Sequence, residues 1–319
     1  MRRLLPLVLA PLLLSGTSAP APDMLRVAVL GDFNGSYGST AYPAALHRAL
    51  RRIVGEWRPD AVLSAGDLIA GQRASLSDAR VREMWAAFGR DVQAPLREAG
   101  IPFGFALGNH DASLGRDRRE AAAYWRAHPP ALNFADRAGF PFRSTFTLRA
   151  PSGKALFVAA LDAGGPTVGA EQRAWLARQL ASAPARAAGA RIVLGHLPLA
   201  AISGDKNRPG EVIRDAAPLR EVMEQGGVLA YVSGHHAAWY PGRLGGLNVF
   251  ASGGIGGRAY LGHPGTPRST LSLLTFDLRA GTATFRTVDA DTGADVPVTS
   301  LPARLDGLGG PLLRVEALR

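Results

Sequence analysis

No cysteine occurs among the 319 residues. This excludes disulfides, thiolate metal sites, a cysteine nucleophile and a lipidated amino-terminal cysteine together. Any metal must be held by His, Asp, Glu or Asn. Lysine is nearly absent as well: of 36 lysines and arginines only Lys154 and Lys206 are lysine, so the net charge of +10 is carried by arginine. Those arginines are scattered among Ala, Gly, Leu and Pro, and no basic run is interleaved with aromatics. The charge therefore gives no ground for sequence-specific nucleic-acid binding. Internal repeats are missing too, and no linker is evident before about residue 290.

A hydrophobic fraction of 47% indicates a globular chain with a sizeable core. The amino terminus, "MRRLLPLVLAPLLLSGTSAPAPD", has two arginines, an apolar stretch from Leu4 to Leu14, then small residues around Ser18, Ala19 and Ala21. That three-part layout predicts a signal peptide over 1–22, with export to the periplasm or the extracellular space. The apolar stretch is short and interrupted by proline, so no stable membrane span is expected after processing. One domain is expected over 23–290, followed by a peripheral, Pro/Gly-rich tail over 291–319.

Between these limits, apolar runs of strand length lie at 25–30, 61–65, 103–107, 155–161, 191–195, 229–233 and 248–252. Segments with helical spacing of apolar residues lie at 45–57, 78–88, 119–128 and 171–183. "LSLLTFDL" and "TATFRTV" flank Arg279-Ala280-Gly281 and read as a hairpin. Alternating strands and helices predict a layered α/β domain with a mixed sheet or two stacked sheets.

Five of the runs end in glycine followed at once by a residue able to bind a metal. They give Gly31-Asp32 with Asn34, Gly66-Asp67, Gly108-Asn109-His110-Asp111, Gly195-His196 and Gly234-His235-His236. Glycine allows a sharp turn and a close backbone approach, and the next side chain projects from the carboxyl edge of a sheet. Four of the seven histidines fall in these motifs, whereas His47 and His128 lie on helical stretches and His263 in a loop. Any single Gly-Asp reads equally as a turn or a helix cap. Side chains from five such edges can converge on one point.

The ordered set resembles the calcineurin-like metallophosphoesterase superfamily, which includes purple acid phosphatases, cyclic-nucleotide phosphodiesterases and protein serine/threonine phosphatases. The resemblance spans residues 25 to about 255. It implies a four-layer αββα sandwich with two mixed β-sheets, two metals at the carboxyl edges of the strands, and hydrolysis of a phosphate ester. Divalent ions would neutralise the phosphoryl oxygens and acidify a water nucleophile, and the ligand types suit Mn, Fe or Zn better than Ca. By the same resemblance Asp67 bridges the metals, Asn109, His196 and His235 complete one tight site, and Asp32 and Asn34 contribute to a weaker second. His110 corresponds to the general acid or phosphate contact. Asp111 has two readings, orienting His110 or capping a helix.

The chain also departs from the family pattern. Asn34 stands where His is frequent, Ala70 where purple acid phosphatases carry Tyr, and Ala237 where a last His is usual. His236 should point away from His235 if the backbone stays extended; a local twist would let it substitute for the missing ligand. The substrate class implied is a phosphorylated small molecule or a lipid or nucleotide ester. The alternative is a degraded member that binds a metal or a phosphorylated ligand without turnover.

Overall fold

The computed structural model describes residues 23–265 and 267–319; the expected signal peptide over 1–22 lies outside the described residues. Two mixed β-sheets face one another. In the five-stranded sheet, Met24–Leu30 lies between Ala61–Ser64 and Thr270–Asp277, with Phe103–Phe105 and Thr282–Asp289 at the edges. Met24–Leu30, Ala61–Ser64 and Phe103–Phe105 run parallel, while the expected hairpin, Thr270–Asp277 and Thr282–Asp289, is antiparallel. In the nine-stranded sheet the parallel centre is Ala155–Ala160, Ala190–Leu194, Ala230–Ser233 and Leu247–Ser252.

Alternation along the strands sorts the core. In Met24–Leu30, Leu25, Val27 and Val29 join a cluster that includes Ile192 and Val232 of the other sheet, whereas Ala28 and Leu30 join one that includes Leu46 and Phe88 of helices. Successive side chains of a strand point to opposite faces, so one strand fills two layers of packing. The helices Ala44–Arg51 and Asp78–Phe88 supply buried residues to the first sheet's outer face. Ala170–Leu180 and Ala216–Gln225 supply Trp175, Leu176, Leu219 and Met223 to the core of the second. The result is the mixed α/β sandwich that the sequence implies.

Two departures concern the ends of elements. The helical run at 45–57 is α-helical only to Arg51 and continues as a wider π turn, Arg52–Trp57. The segment expected as a peripheral tail forms an edge hairpin, Arg304–Gly307 and Gly310–Arg314, hydrogen-bonded to Trp239–Leu244 of the larger sheet. Leu305 and Leu312 are buried there, and Leu318 is buried where the chain bridges to Ala283 of the smaller sheet. Among the described residues no helix is long and apolar enough to cross a membrane.

Candidate metal centre

The carboxyl ends of the central strands of both sheets meet at one place. Asp32, Asp67 and His235 stand directly after these strands with φ of 48°, 57° and 65°. Left-handed backbone at a non-glycine residue costs about 1–2 kcal/mol, and such strain gathers where surroundings fix a functional geometry. Gly66, at φ 92°, supplies the turn before Asp67. Gly108 allows the close approach: a Cβ there would lie 2.1 Å from Asp67 Oδ1.

Asp67 Oδ1 accepts the His110 backbone N–H at 3.0 Å and lies 3.4 Å from His196 Nε2. His196 is fully buried and its Nδ1 donates to the Ala65 carbonyl at 2.7 Å. A carbonyl only accepts, so the proton sits on Nδ1 and Nε2 carries the lone pair. Burial pushes the imidazole down to about 4, against the pull of Asp67, and keeps it neutral. Asn109 Oδ1 lies 2.8 Å from that nitrogen, while its amide donates to Gln72 Oε1 at 2.7 Å.

Three lone-pair atoms, Asp67 Oδ1, His196 Nε2 and Asn109 Oδ1, therefore converge with no side-chain proton among them. The other nitrogens of His196 and Asn109 are spent on Ala65 and Gln72, and the one donor to Asp67 Oδ1 is the His110 backbone N–H. Acceptors crowded this closely are costly, and a cation satisfies them together. This donor set fits a divalent metal. His235 adds to it: one ligand atom each from Asp67, His196 and His235 lies within 4.8 Å of the others. His235 Nε2 donates to Glu211 Oε2 at 2.7 Å, which leaves the lone pair on Nδ1, faced by the Lys206 ammonium at 3.3 Å. Burial lowers the His235 pKa despite that bond. Burial works to raise the Asp67 carboxyl, but His196, His110 and His235 outweigh it and hold it below the usual range.

The donors for a second ion are thinner. Asp32 Oδ1 accepts the His235 backbone N–H at 2.8 Å, and its Oδ2 is buried without a partner. Burial, then Asp67, push that carboxyl well above its ordinary range. Asn34 makes one side-chain hydrogen bond among the described residues, to the Gly35 carbonyl at 3.4 Å. Ala237 offers no donor, and Ala70 is buried among apolar residues.

The structure separates the two readings of Asp111. Its Oδ1 accepts from the backbone of Leu68 and Ile69 at 2.8 and 2.9 Å and its Oδ2 from Gly108 at 2.7 Å. Both oxygens are used on the backbone, so the capping reading holds: Asp111 accepts the N–H of Gly108, the residue that caps the short helix Asn109–Ala112, and its other oxygen ties in the loop after Asp67. Burial and Asp67 push this carboxyl up to about 8 against those three donors. His110 is positioned otherwise: its ring stacks on Tyr37 at 5.0 Å, and its Nε2 is 3.9 Å from Asp67 Oδ2.

His236 is not a substitute ligand. Its Nδ1 accepts from the backbone of Ile202 and Ser203 at 3.1 and 3.2 Å, and its Nε2 donates to the Glu211 carbonyl at 3.0 Å. Both ring nitrogens fasten the 201–211 loop. Sequence reasoning did not find Gln72, which orients Asn109, nor Lys206 and Glu211. Lys206 Nζ lies 3.3 and 3.2 Å from the two ring nitrogens of His235 and 3.3 Å from Glu211 Oε2. The centre opens into a cleft of about 800 Å³ lined by Tyr37, His110, Arg118, Asp162, Lys206 and Arg258 among others.

A two-sheet sandwich with Asp, Asn and His at its strand ends defines a metal-site class of protein, and the sequence agrees. The profile of the calcineurin-like phosphoesterase family matches residues 25–238, and the chain belongs to that family. No curated protein matches this sequence. Solved structures share the fold at low identity. GAP50, described as the anchor in the inner membrane complex of Plasmodium, is 13% identical with a TM-score of 0.58, over 86% of this chain and 87% of that one. Purple acid phosphatase PPD1 from yellow lupin seeds is 17% identical with a TM-score of 0.57, over 86% of this chain and 53% of that one, so this chain spans about half the lupin enzyme. PhoD is 13% identical with a TM-score of 0.55, over 93% and 73%.

Proposed function

We propose that the protein is an exported, metal-dependent phosphoesterase that hydrolyses phosphate mono- or diesters in the cleft beside Asp67. The observation that carries this is the convergence of three lone-pair atoms, Asp67 Oδ1, His196 Nε2 and Asn109 Oδ1, with no side-chain proton among them. Family membership and the likeness of fold to a purple acid phosphatase and to PhoD support it. Asp67, Asn109, His196 and His235 would hold Mn, Fe or Zn. When bound, such an ion neutralises a phosphoryl oxygen and lowers the pKa of water toward neutrality.

The chain's own residues do the rest. Gln72 and Ala65 hold Asn109 and His196 in the orientation a ligand needs. His110 lines the cleft next to Asp67 and carries a ring nitrogen able to hand a proton to the departing alkoxide. Arg118 also lines the cleft, bonded to Asp162 at 2.7 and 3.3 Å, and offers charge to an anionic substrate. Export rests on the layout of residues 1–22.

One observation favours a second reading, a member that binds a phosphorylated ligand without turnover: Asn34 and Ala237 leave the second-ion position short of donors. Purified full chain should hydrolyse p-nitrophenyl phosphate or bis(p-nitrophenyl) phosphate with added Mn, lose that activity in EDTA and regain it on Mn replacement. Metal bound with no hydrolysis of any ester tried would favour the binding reading.

A further inference from the structure

A part-buried ammonium stands in the cleft beside His235, the residue whose backbone N–H holds Asp32. Lys206 comes from the 203–211 loop, and its side chain is only 15% exposed. Its ammonium is held by Glu211 Oε2 at 3.3 Å and lies 3.3 and 3.2 Å from Nδ1 and Nε2 of the His235 ring. Glu211 is itself fixed, by His235 Nε2 at 2.7 Å and by Arg208 at 2.9 Å, and its backbone carbonyl by His236. The loop is thus fastened at several points, and the ammonium is placed rather than waving in solvent. On the neighbouring wall Arg258, ion-paired with Asp205, donates its backbone N–H to the Ala237 carbonyl at 2.8 Å.

We propose that Lys206 is a phosphate-binding residue whose ammonium supplies, beside one metal, the second positive charge that Asn34 and Ala237 leave without ligands. This deepens the phosphoesterase reading and rests on it for the identity of the ligand. Standing in for an ion asks for a compact point charge, which an ammonium is and a guanidinium, a broad planar fork, is not. The chain uses arginine at all but two of its 36 basic positions, and one of the two exceptions is in this cleft. Among the described residues Asp32 Oδ2 is a buried carboxylate oxygen without a partner, and a second divalent ion drawn to it would meet the repulsion of this ammonium.

The test reads metal content and the binding of inorganic phosphate, neither of which requires turnover. Full-length wild type, Lys206→Met and Lys206→Arg are saturated with Mn, freed of excess, and analysed by elemental mass spectrometry; phosphate is then titrated calorimetrically. Wild type should hold one Mn per chain. Lys206→Met should keep that one Mn, which shows the fold and first site intact, yet bind phosphate at least tenfold more weakly, with Lys206→Arg between them. A double variant, Ala237→His with Lys206→Met, should take up a second Mn that Ala237→His alone does not. Two Mn in the wild type, or equal phosphate affinity in wild type and Lys206→Met, would overturn the proposal. Phosphate binding that depends on Lys206 in a protein that hydrolyses no ester would leave this inference standing and remove the enzyme reading instead.

Discussion

His110 separates two jobs that a histidine beside a phosphate can do. Its side chain is partly buried, stacked on Tyr37, with its Nδ1 lacking a partner and its Nε2 near but not bonded to Asp67. A general acid matters in proportion to how badly the leaving oxygen needs a proton. His110→Asn should therefore slow an alkyl phosphate ester about a hundredfold or more while slowing a nitrophenyl ester only a few-fold. Equal losses on both, measured as kcat/KM, would make His110 a phosphate contact. At this scale the sequence was legible for where the strand ends lead: Asp67, Asn109, His196 and His235 lie together, and Asp32 holds the His235 backbone. It was not legible for residues whose role depends on distant chain. His236 is explained only by Ile202, Ser203 and Glu211, and nothing in "HH" reveals that both nitrogens are spent on them. Lys206 and Glu211 sit in "SGDKNRPGE", which has no periodicity to place it, and the sole signal was the rarity of lysine.

At the scale of elements, His236 ties the end of Ala230–Ser233 to the 201–211 loop. Burial pushes its imidazole down to about 3, below the unfolded value of about 6.5. The neutral form is thus the one the fold accommodates. Its contribution to stability is present above the unfolded pKa and is lost as pH falls from 6.5 toward 3, because only the unfolded chain takes up the proton there. His236→Gln should cost on the order of 1–3 kcal/mol at pH 7, the loss expected for unsatisfied buried donors. That gap should narrow by about 1.4 kcal/mol per pH unit below 6.5. Denaturant melts of both proteins at pH 7, 6 and 5 check this; a constant gap would mean that the ring is not held neutral. Strands were legible where they are unbroken apolar runs. Trp239–Leu244 was missed because Pro241 and Gly242 interrupt it. The terminal hairpin was missed because Gly307, Gly309 and Gly310 read as loop while its two buried leucines, Leu305 and Leu312, lie seven residues apart.

For the whole molecule, the centre joins two halves. Asp67 and Asn109 follow strands of the five-stranded sheet, and His196 and His235 follow strands of the nine-stranded one. A ligand that binds only where all four meet stabilises the folded state by mass action, about 2.7 kcal/mol at a hundredfold excess over its dissociation constant. For a chain of this size that corresponds to a rise in melting temperature of roughly 5 °C or more. Wild type in Mn should melt that much higher than in EDTA, and a shift of zero would mean that the sheets are not bridged. The two-sheet sandwich was legible because strand ends, helices and the ordered motifs all point to it; the share of the last 29 residues in the larger sheet was not.

The central claim is that one metal on Asp67, Asn109, His196 and His235 performs phosphate ester hydrolysis. Measuring bound Mn and the rate on bis(p-nitrophenyl) phosphate in the same preparations of wild type and Asp67→Asn tests it most directly. The account predicts that the substitution lowers metal content and activity together, with activity falling to background. Full activity in Asp67→Asn, or activity lost with the metal retained at wild-type affinity, would contradict it.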